Sequence, residues 1–559
     1  MADDLTRASK GQERLDWWDL PAGLLAAGAA LLLYLRTLAP GLLPGDSGEF
    51  QTLAYLLGDT HPTGYAVYLL LAKPFTWLPL GDVAYRVNLF SAVMAGLTIG
   101  GVYLAGKLLT GHRGPAVLGG LALAVSPTFW SQALIAEVYT PGAAFLVGVL
   151  LPLLWWERRR QPWALFAAGV AGGLSLGVHL TVPLLAPAVL LFLLLSRRRG
   201  ETVWRPALLG ALAGVGLALL AFLIVDLHAS PANYFNSVVF PSRSAWGLEA
   251  TDLDSPLERL LFGLSARQFH PFMFADPAGV MPRLARGYFG HLPGEIFPLA
   301  LALAGLGALG LLMRRPRPAL LLLVALATQW LYTFNYEIWD LYVFHIPGYV
   351  LLALLAGAGA GRLLDGWLAL ARNLRGHRAV GVLLVVSLLV LGVWPMLAPH
   401  WDDVLAGGPP AFGFDEYPVD DFSLELLHPL ATATVLDLPE GSVVFTDWAM
   451  LYPFYYVAHI EQGRTDLTFV ETFPRDDVGG LAGSVIGYVA AQLPYRPVFF
   501  SERVPELRQA GFAFSPFRAG PTRLYRVRAV ASSGRFDNRR GAEFAAVSRM
   551  FPASSAPPR

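Results

Sequence analysis

No cysteine occurs anywhere in the 559 residues. That absence excludes a disulfide framework, a thiolate metal site and a cysteine nucleophile, and leaves the compartment open. Charge is scarce too: 15% of residues are charged, and 41 basic residues balance 41 acidic ones for a formal net charge of +0. A chain so balanced has no electrostatic footprint for a nucleic-acid partner. It is also too poor in charge for an ordinary soluble domain. No internal repeat is found. Ser47 lacks a Gly-x-Ser-x-Gly setting, which argues against a serine nucleophile.

What is abundant is apolar sequence, 55% of the chain, with a mean hydropathy of +0.50. It is grouped into runs of roughly 16–22 residues, the length a bilayer asks of a helix. About eleven spans are predicted, near 20–38, 88–108, 115–135, 141–156, 163–178, 180–195, 206–226, 294–312, 319–335, 343–361 and 379–398. The N-terminal segment 1–19 is polar, so the first run reads as an uncleaved anchor. One set of span ends carries Arg7, Lys10 and Arg14, then Arg158–Arg160, Arg197–Arg199, Arg314–Arg317 and Arg372–Arg378. By the positive-inside rule this set is cytoplasmic.

The stretch 163–195 has basic residues at both ends, so it enters and returns. Each leg spans only ~22–25 Å at 1.5 Å per residue, which is short for a full crossing. Its turn is placed at Gly177-Val178-His179, below the outer surface, with His179 on the floor of an outward-facing cavity. The outer side then receives loop 39–87, the Glu137-Val138-Tyr139 turn, loop 227–293, Asn335–Asp340 and the C-terminal part. Residues 46–58 and 65–78 read as short interfacial helices, with Trp77, Tyr65, Tyr68 and Tyr85 suited to a headgroup-level aromatic belt. Loop 227–293 is long enough for a lid or binding loop.

From about 401 to 530 the pattern changes. Strand-like runs at 442–446, 466–470 and 497–500 alternate with helical patterns near 450–461, 482–493 and 503–510, which predicts a small parallel-sheet α/β domain. No Gly-x-Gly-x-x-Gly follows its first strand, so no dinucleotide site is expected. Residues 531–559 read as a disordered tail.

Chemistry-bearing residues gather in loop 39–87. Asp46-x-x-Glu49 has the form of a capping box, and a cap would also fix a general base in space, with Glu49 positioning substrate or tuning it. His61 precedes Pro62 as at a helix start, yet faces the same compartment as the two acids. Arg86 either snorkels or holds a lipid phosphate in the bidentate way of a guanidinium. Asn88, just inside a span, suits a bond to another helix. Glu137 reads as solvent-exposed or as a site carboxylate beside Tyr139; Glu337 and Asp340 read as interface residues. Asp46, Glu49 and His61 are adequate ligand types, but their spacing matches no metal motif, so no metal and no cofactor are predicted.

Pro44-Gly45-Asp46-Ser47-Gly48-Glu49-Phe50, His61-Pro62-Thr63-Gly64-Tyr65 and Tyr85-Arg86-Val87-Asn88-Leu89 together resemble a bacterial family related to protein O-mannosyltransferases, membrane glycosyltransferases of GT-C type. Glu137-Val138-Tyr139 and the Gly177–Thr181 turn look like later signatures of that family; Thr63 departs from its usual proline. The resemblance covers 20–400 in layout and is sharpest at 44–110. It implies a polytopic GT-C fold in a bacterial inner membrane, N-terminus cytoplasmic and C-terminal domain outside. It further implies a polyprenyl-phosphate-linked, mannose-like sugar as donor, a protein or glycolipid hydroxyl as acceptor, no metal, and Asp46 as base. On this reading Asp46 and Glu49 are catalytic. His61, Arg86 and His179 face the donor phosphate, while Glu137, Tyr139, Tyr65 and Asn88 line the site. A lipid transporter or flippase shares the many spans and buried charge, but should bring repeats and mid-membrane charges.

Overall fold

The structure, a computed structural model, describes residues 15–472 and 480–529. The basic residues at 7, 10 and 14 and the segment 531–559 lie outside them.

Each of the eleven predicted spans has a helical counterpart. They are Asp19–Arg36, Val83–Thr110, Arg113–Ala124 continued by Pro127–Ala133, Tyr139–Arg159, Pro162–Leu174, Ala186–Ser196, Trp204–His228, Pro298–Arg314, Pro316–Thr333, Ile346–Leu370 and His377–Leu397. Among the described residues, six helices meet the length and hydropathy of a full crossing on their own. The chain is a multi-pass membrane protein.

The third span breaks where Ser126 precedes Pro127, whose ring cannot continue an amide ladder. Glu295 satisfies the restarted helix, accepting from Thr128 N (3.0 Å), Thr128 Oγ1 (2.7 Å) and Ser126 Oγ (2.9 Å). The fifth and sixth legs are short apolar helices. They join through the tight turns Ser175–Gly177 and Val182–Leu185, with His179 between them. Helix Pro162–Leu174 then lies backbone to backbone on Trp204–His228. A Cβ on Gly173 would stand 2.5 Å from Ala211 O, and one on Gly210 2.1 Å from Phe166 O. Small residues four apart permit that approach, and packing of this kind holds helices together where lipid gives no hydrophobic drive.

The first loop forms two short helical pieces close to those predicted, Gly45–Leu56 and Ala66–Ala72, the latter extended by Lys73–Trp77. The capping box does not form. Pro44 occupies the N-cap, Asp46 lies inside the first turn, and Glu49 turns away to His61. Pro62 lies in a turn and does not open a helix; the next one begins at Ala66. The aromatic belt also needs revision: Trp77 is exposed, but Tyr65 and Tyr68 are buried against Phe50.

The C-terminal part carries a sheet of β1 (Val443–Thr446), β2 (Thr468–Glu471), β3 (Val498–Phe500), β4 (Phe512–Ala519) and β5 (Thr522–Ala529) in the order β2-β1-β3-β5-β4. The first three are parallel and match the predicted runs. The purely parallel expectation is corrected by the β4–β5 hairpin, which pairs antiparallel through β5 to β3. Its strands alternate exposed with half-buried residues and so lack the continuous apolar runs that marked the inner three. Helix Trp448–Tyr455, which follows β1, shares one apolar core with the first loop, joining Leu451, Tyr452 and Tyr455 to Phe50, Leu53 and Tyr68.

Candidate active site

Helix Gly45–Leu56 presents Asp46 and Glu49 one turn apart, and the turn before Ala66 returns His61 to them. Glu49 is fully buried and accepts twice from His61, at 2.5 Å from Nδ1 and 2.9 Å from the backbone N–H. Asp46 remains 44% exposed, its Oδ2 3.9 Å from His61 Nε2 and its Oδ1 accepting from Trp448 Nε1 at 2.6 Å. Burial works against charge on His61, but Glu49 and then Asp46 outweigh it, and the imidazole is pushed up to about 9. His61 is therefore an imidazolium at neutral pH, with Nδ1–H committed to Glu49 and Nε2–H turned toward Asp46. Tyr65, Phe50 and Trp448 pack around its ring with centroids 5.1–5.9 Å away.

A second acidic group adjoins the first. Ser47 Oγ donates to Glu137 Oε1 at 3.5 Å, and Glu137 lies in the bend between Pro127–Ala133 and Tyr139–Arg159. Burial, then the charges of Asp46 and Asp340, push the Glu137 carboxyl well above the usual carboxylate range. Tyr139 OH donates to Asp340 Oδ2 at 3.2 Å, and burial reinforced by Asp46 lifts Asp340 to about 6. The His179 ring lies against Tyr139 (5.1 Å) and Phe344 (5.5 Å), with Nδ1 fixed by Thr181 Oγ1 at 2.7 Å. Asp46, Glu49 and Glu137 thus gather round one imidazolium, with Asp340 next to Glu137, and together they offer hydrogen-bonding groups of the kind that meet hydroxyls. Among the described residues, no group of three or more His, Asp or Glu is arranged to hold a metal ion.

Asp46, Glu49, His61, Tyr65, Glu137, Tyr139 and His179 come together. Arg86 and Asn88 stand behind them. The Arg86 guanidinium donates to three backbone carbonyls of its own loop, Leu80 (2.6 Å), Thr76 (2.7 Å) and Gly81 (2.9 Å). Asn88 ties Gln51 (2.9 Å) to the carbonyl of Ala39 (3.0 Å) and so braces the acidic helix. Sequence reasoning undervalued Asp340 and missed Trp448. Asp340 looked like a loop-end acid. Trp448 carries no local sign of its partner, which is 402 positions away.

With this geometry in view, similarities to known proteins bear on the same region. The family described as "Protein O-mannosyl-transferase TMEM260 N-terminal domain" matches residues 46–202. "Protein O-mannosyl-transferase TMEM260" of Mus musculus is 38% identical over 137 residues, 23% of this chain and 19% of that protein. Its Dictyostelium discoideum namesake is 24% identical over 132 residues, 23% of this chain and 16% of that protein. The matched stretch spans under a fifth of either relative's length. Both are eukaryotic, which corrects the expectation of a bacterial family. ArnT from Cupriavidus metallidurans, solved bound to undecaprenyl phosphate, superposes with a TM-score of 0.54 at 15% identity, over 92% of this chain and 99% of that one. The Archaeoglobus fulgidus oligosaccharyltransferase gives 0.52 at 12% identity, over 87% and 69%. The fold is that of the GT-C membrane glycosyltransferases, with a small sheet domain at the C-terminal end.

Proposed function

We propose that this protein is an inverting glycosyltransferase that moves a mannose-like sugar from a polyprenyl-phosphate donor to an acceptor hydroxyl of a protein or glycolipid. The reaction runs at the non-cytoplasmic face, with the N-terminus cytoplasmic and the sheet domain outside. The observation that carries the reading is the half-exposed Asp46 beside the closed Glu49–His61 pair, at the start of the segment matched by the O-mannosyltransferase family.

The acceptor hydroxyl gives its proton to Asp46 as its oxygen attacks the anomeric carbon. The bond from that carbon to the phosphate oxygen breaks with its electron pair, and polyprenyl phosphate leaves. General-base help of this kind is worth roughly 10²–10⁴-fold. The His61 imidazolium, kept charged by Glu49, adds positive charge to the site from which the phosphate leaves. Glu137 and the Tyr139–Asp340 pair offer hydrogen bonds to sugar hydroxyls. No metal or cofactor takes part; the lipid carrier brings the activated sugar.

The test is to incubate the purified protein with polyprenyl-phosphate mannose, glucose and galactose and measure release of lipid phosphate. Release is expected with wild type and lost in Asp46→Asn protein that inserts normally. Full activity in Asp46→Asn refutes Asp46 as base. Donor lipid that crosses the bilayer without losing its sugar would favour a flippase.

A further inference from the structure

Helix Trp448–Tyr455 leaves β1 and lies across helix Gly45–Leu56. Asp447 caps its start, accepting from Met450 N at 3.0 Å. Thr52 Oγ1 donates to Tyr452 O at 3.1 Å, and Ala84 N donates to the Tyr456 hydroxyl at 3.0 Å. Gly48 lets the two helices approach, since a Cβ there would stand 3.1 Å from Pro453 Cδ and 2.5 Å from Leu43 O. At the leading end of this contact Trp448 donates from Nε1 to Asp46 Oδ1 at 2.6 Å. Its ring is wedged between Tyr452, His61 and Tyr234, with centroids 5.3, 5.9 and 6.2 Å away and all three near edge-on. The indole cannot swing out without disturbing three aromatic neighbours.

We propose that Trp448 is a positioning residue of the transfer reaction, and that the sheet domain thereby completes the active site. A carboxylate free to spin offers either oxygen in many directions. With Oδ1 pinned by the indole N–H, Oδ2 is the oxygen left to meet the acceptor hydroxyl, on the side of His61. Pre-set orientation of this kind lowers the barrier without adding binding energy for substrate. The inference rests on Asp46 as base.

Two substitutions separate donation from packing. Trp448→Phe keeps an aromatic ring and removes the N–H. Trp448→His loses the six-membered ring yet can place Nε2–H where the indole Nε1–H stands. Full-length protein in nanodiscs is assayed with whichever of the three polyprenyl-phosphate sugars wild type turns over; turnover of none refutes the base reading and this one together. Trp448→Phe is expected to lower kcat about 10- to 100-fold, the worth of a hydrogen bond to a charged group, at unchanged donor KM and unchanged melting midpoint. Trp448→His is expected to recover most of that loss. Wild-type kcat in Trp448→Phe, or a histidine variant worse than the phenylalanine one, overturns the proposal. So does a loss carried by donor KM or by the melting midpoint. An inactive Asp46→Asn beside a fully active Trp448→Phe refutes Trp448 alone. A fully active Asp46→Asn refutes the base reading itself.

Discussion

Glu49→Gln removes the carboxylate charge that keeps His61 protonated while leaving a side chain of the same shape. His61 is raised from an ordinary 6.5 to about 9 even though burial acts against its charge. Asp46 adds to the charge of Glu49 at His61, while burial raises Glu49 itself. Removing one member of a buried ion pair costs ~3–5 kcal/mol. Because the folded value lies above the unfolded one, this stability is complete below about pH 6.5 and is lost as pH rises through about 9. Glu49→Gln should therefore unfold at a clearly lower temperature than wild type at pH 6. The gap should close, or reverse, at pH 10, where wild type keeps a buried carboxylate without its cation. Unfolding midpoints by differential scanning fluorimetry in detergent between pH 6 and 10 read this directly. Equal midpoints at pH 6, or a gap of constant size through pH 10, would refute a charged pair. Transfer activity should show the same alkaline limb near pH 9 in wild type.

Arg259 makes a two-pronged bond to Asp226, at 2.5 and 2.8 Å, with the Asp226 side chain 1% exposed. Arg259→Gln leaves that charge buried alone and should cost about 3–5 kcal/mol by chemical denaturation, much of it restored in the Asp226→Asn double variant. Gly48→Val drives a branched side chain into Leu43 O and Pro453. Limited proteolysis should then release the sheet domain faster than in wild type, with transfer falling in parallel. Arg86→Ala frees three loop carbonyls and should lower stability by about 1–3 kcal/mol, while donor KM, measured by lipid-phosphate release, stays within twofold.

The spans were legible because a bilayer imposes one length and one polarity on every crossing, and the two short legs of 163–195 follow from how few residues separate its basic flanks. The acidic loop was legible because Asp46, Glu49 and His61 lie within sixteen positions, close enough for local turns to gather them. Arg86 was open to snorkelling or to a lipid phosphate, and the structure adds what no local pattern showed, that its guanidinium reaches the backbone carbonyls of residues 76–81. The β4–β5 hairpin escaped because its half-exposed strands alternate weakly. Trp448 escaped for a deeper reason: a contact 402 positions long is set by how the sheet domain docks, and no short window of sequence records docking.

That long contact also fixes when the Asp46–Trp448 bond can form during synthesis. A ribosome adding ~5–20 residues per second needs roughly 20–80 s to travel from Asp46 to Trp448. During that interval the nascent chain has its acids but not the indole that steadies them. A chain that ends before Trp448 therefore carries the acids of the first loop without the indole N–H that meets Asp46.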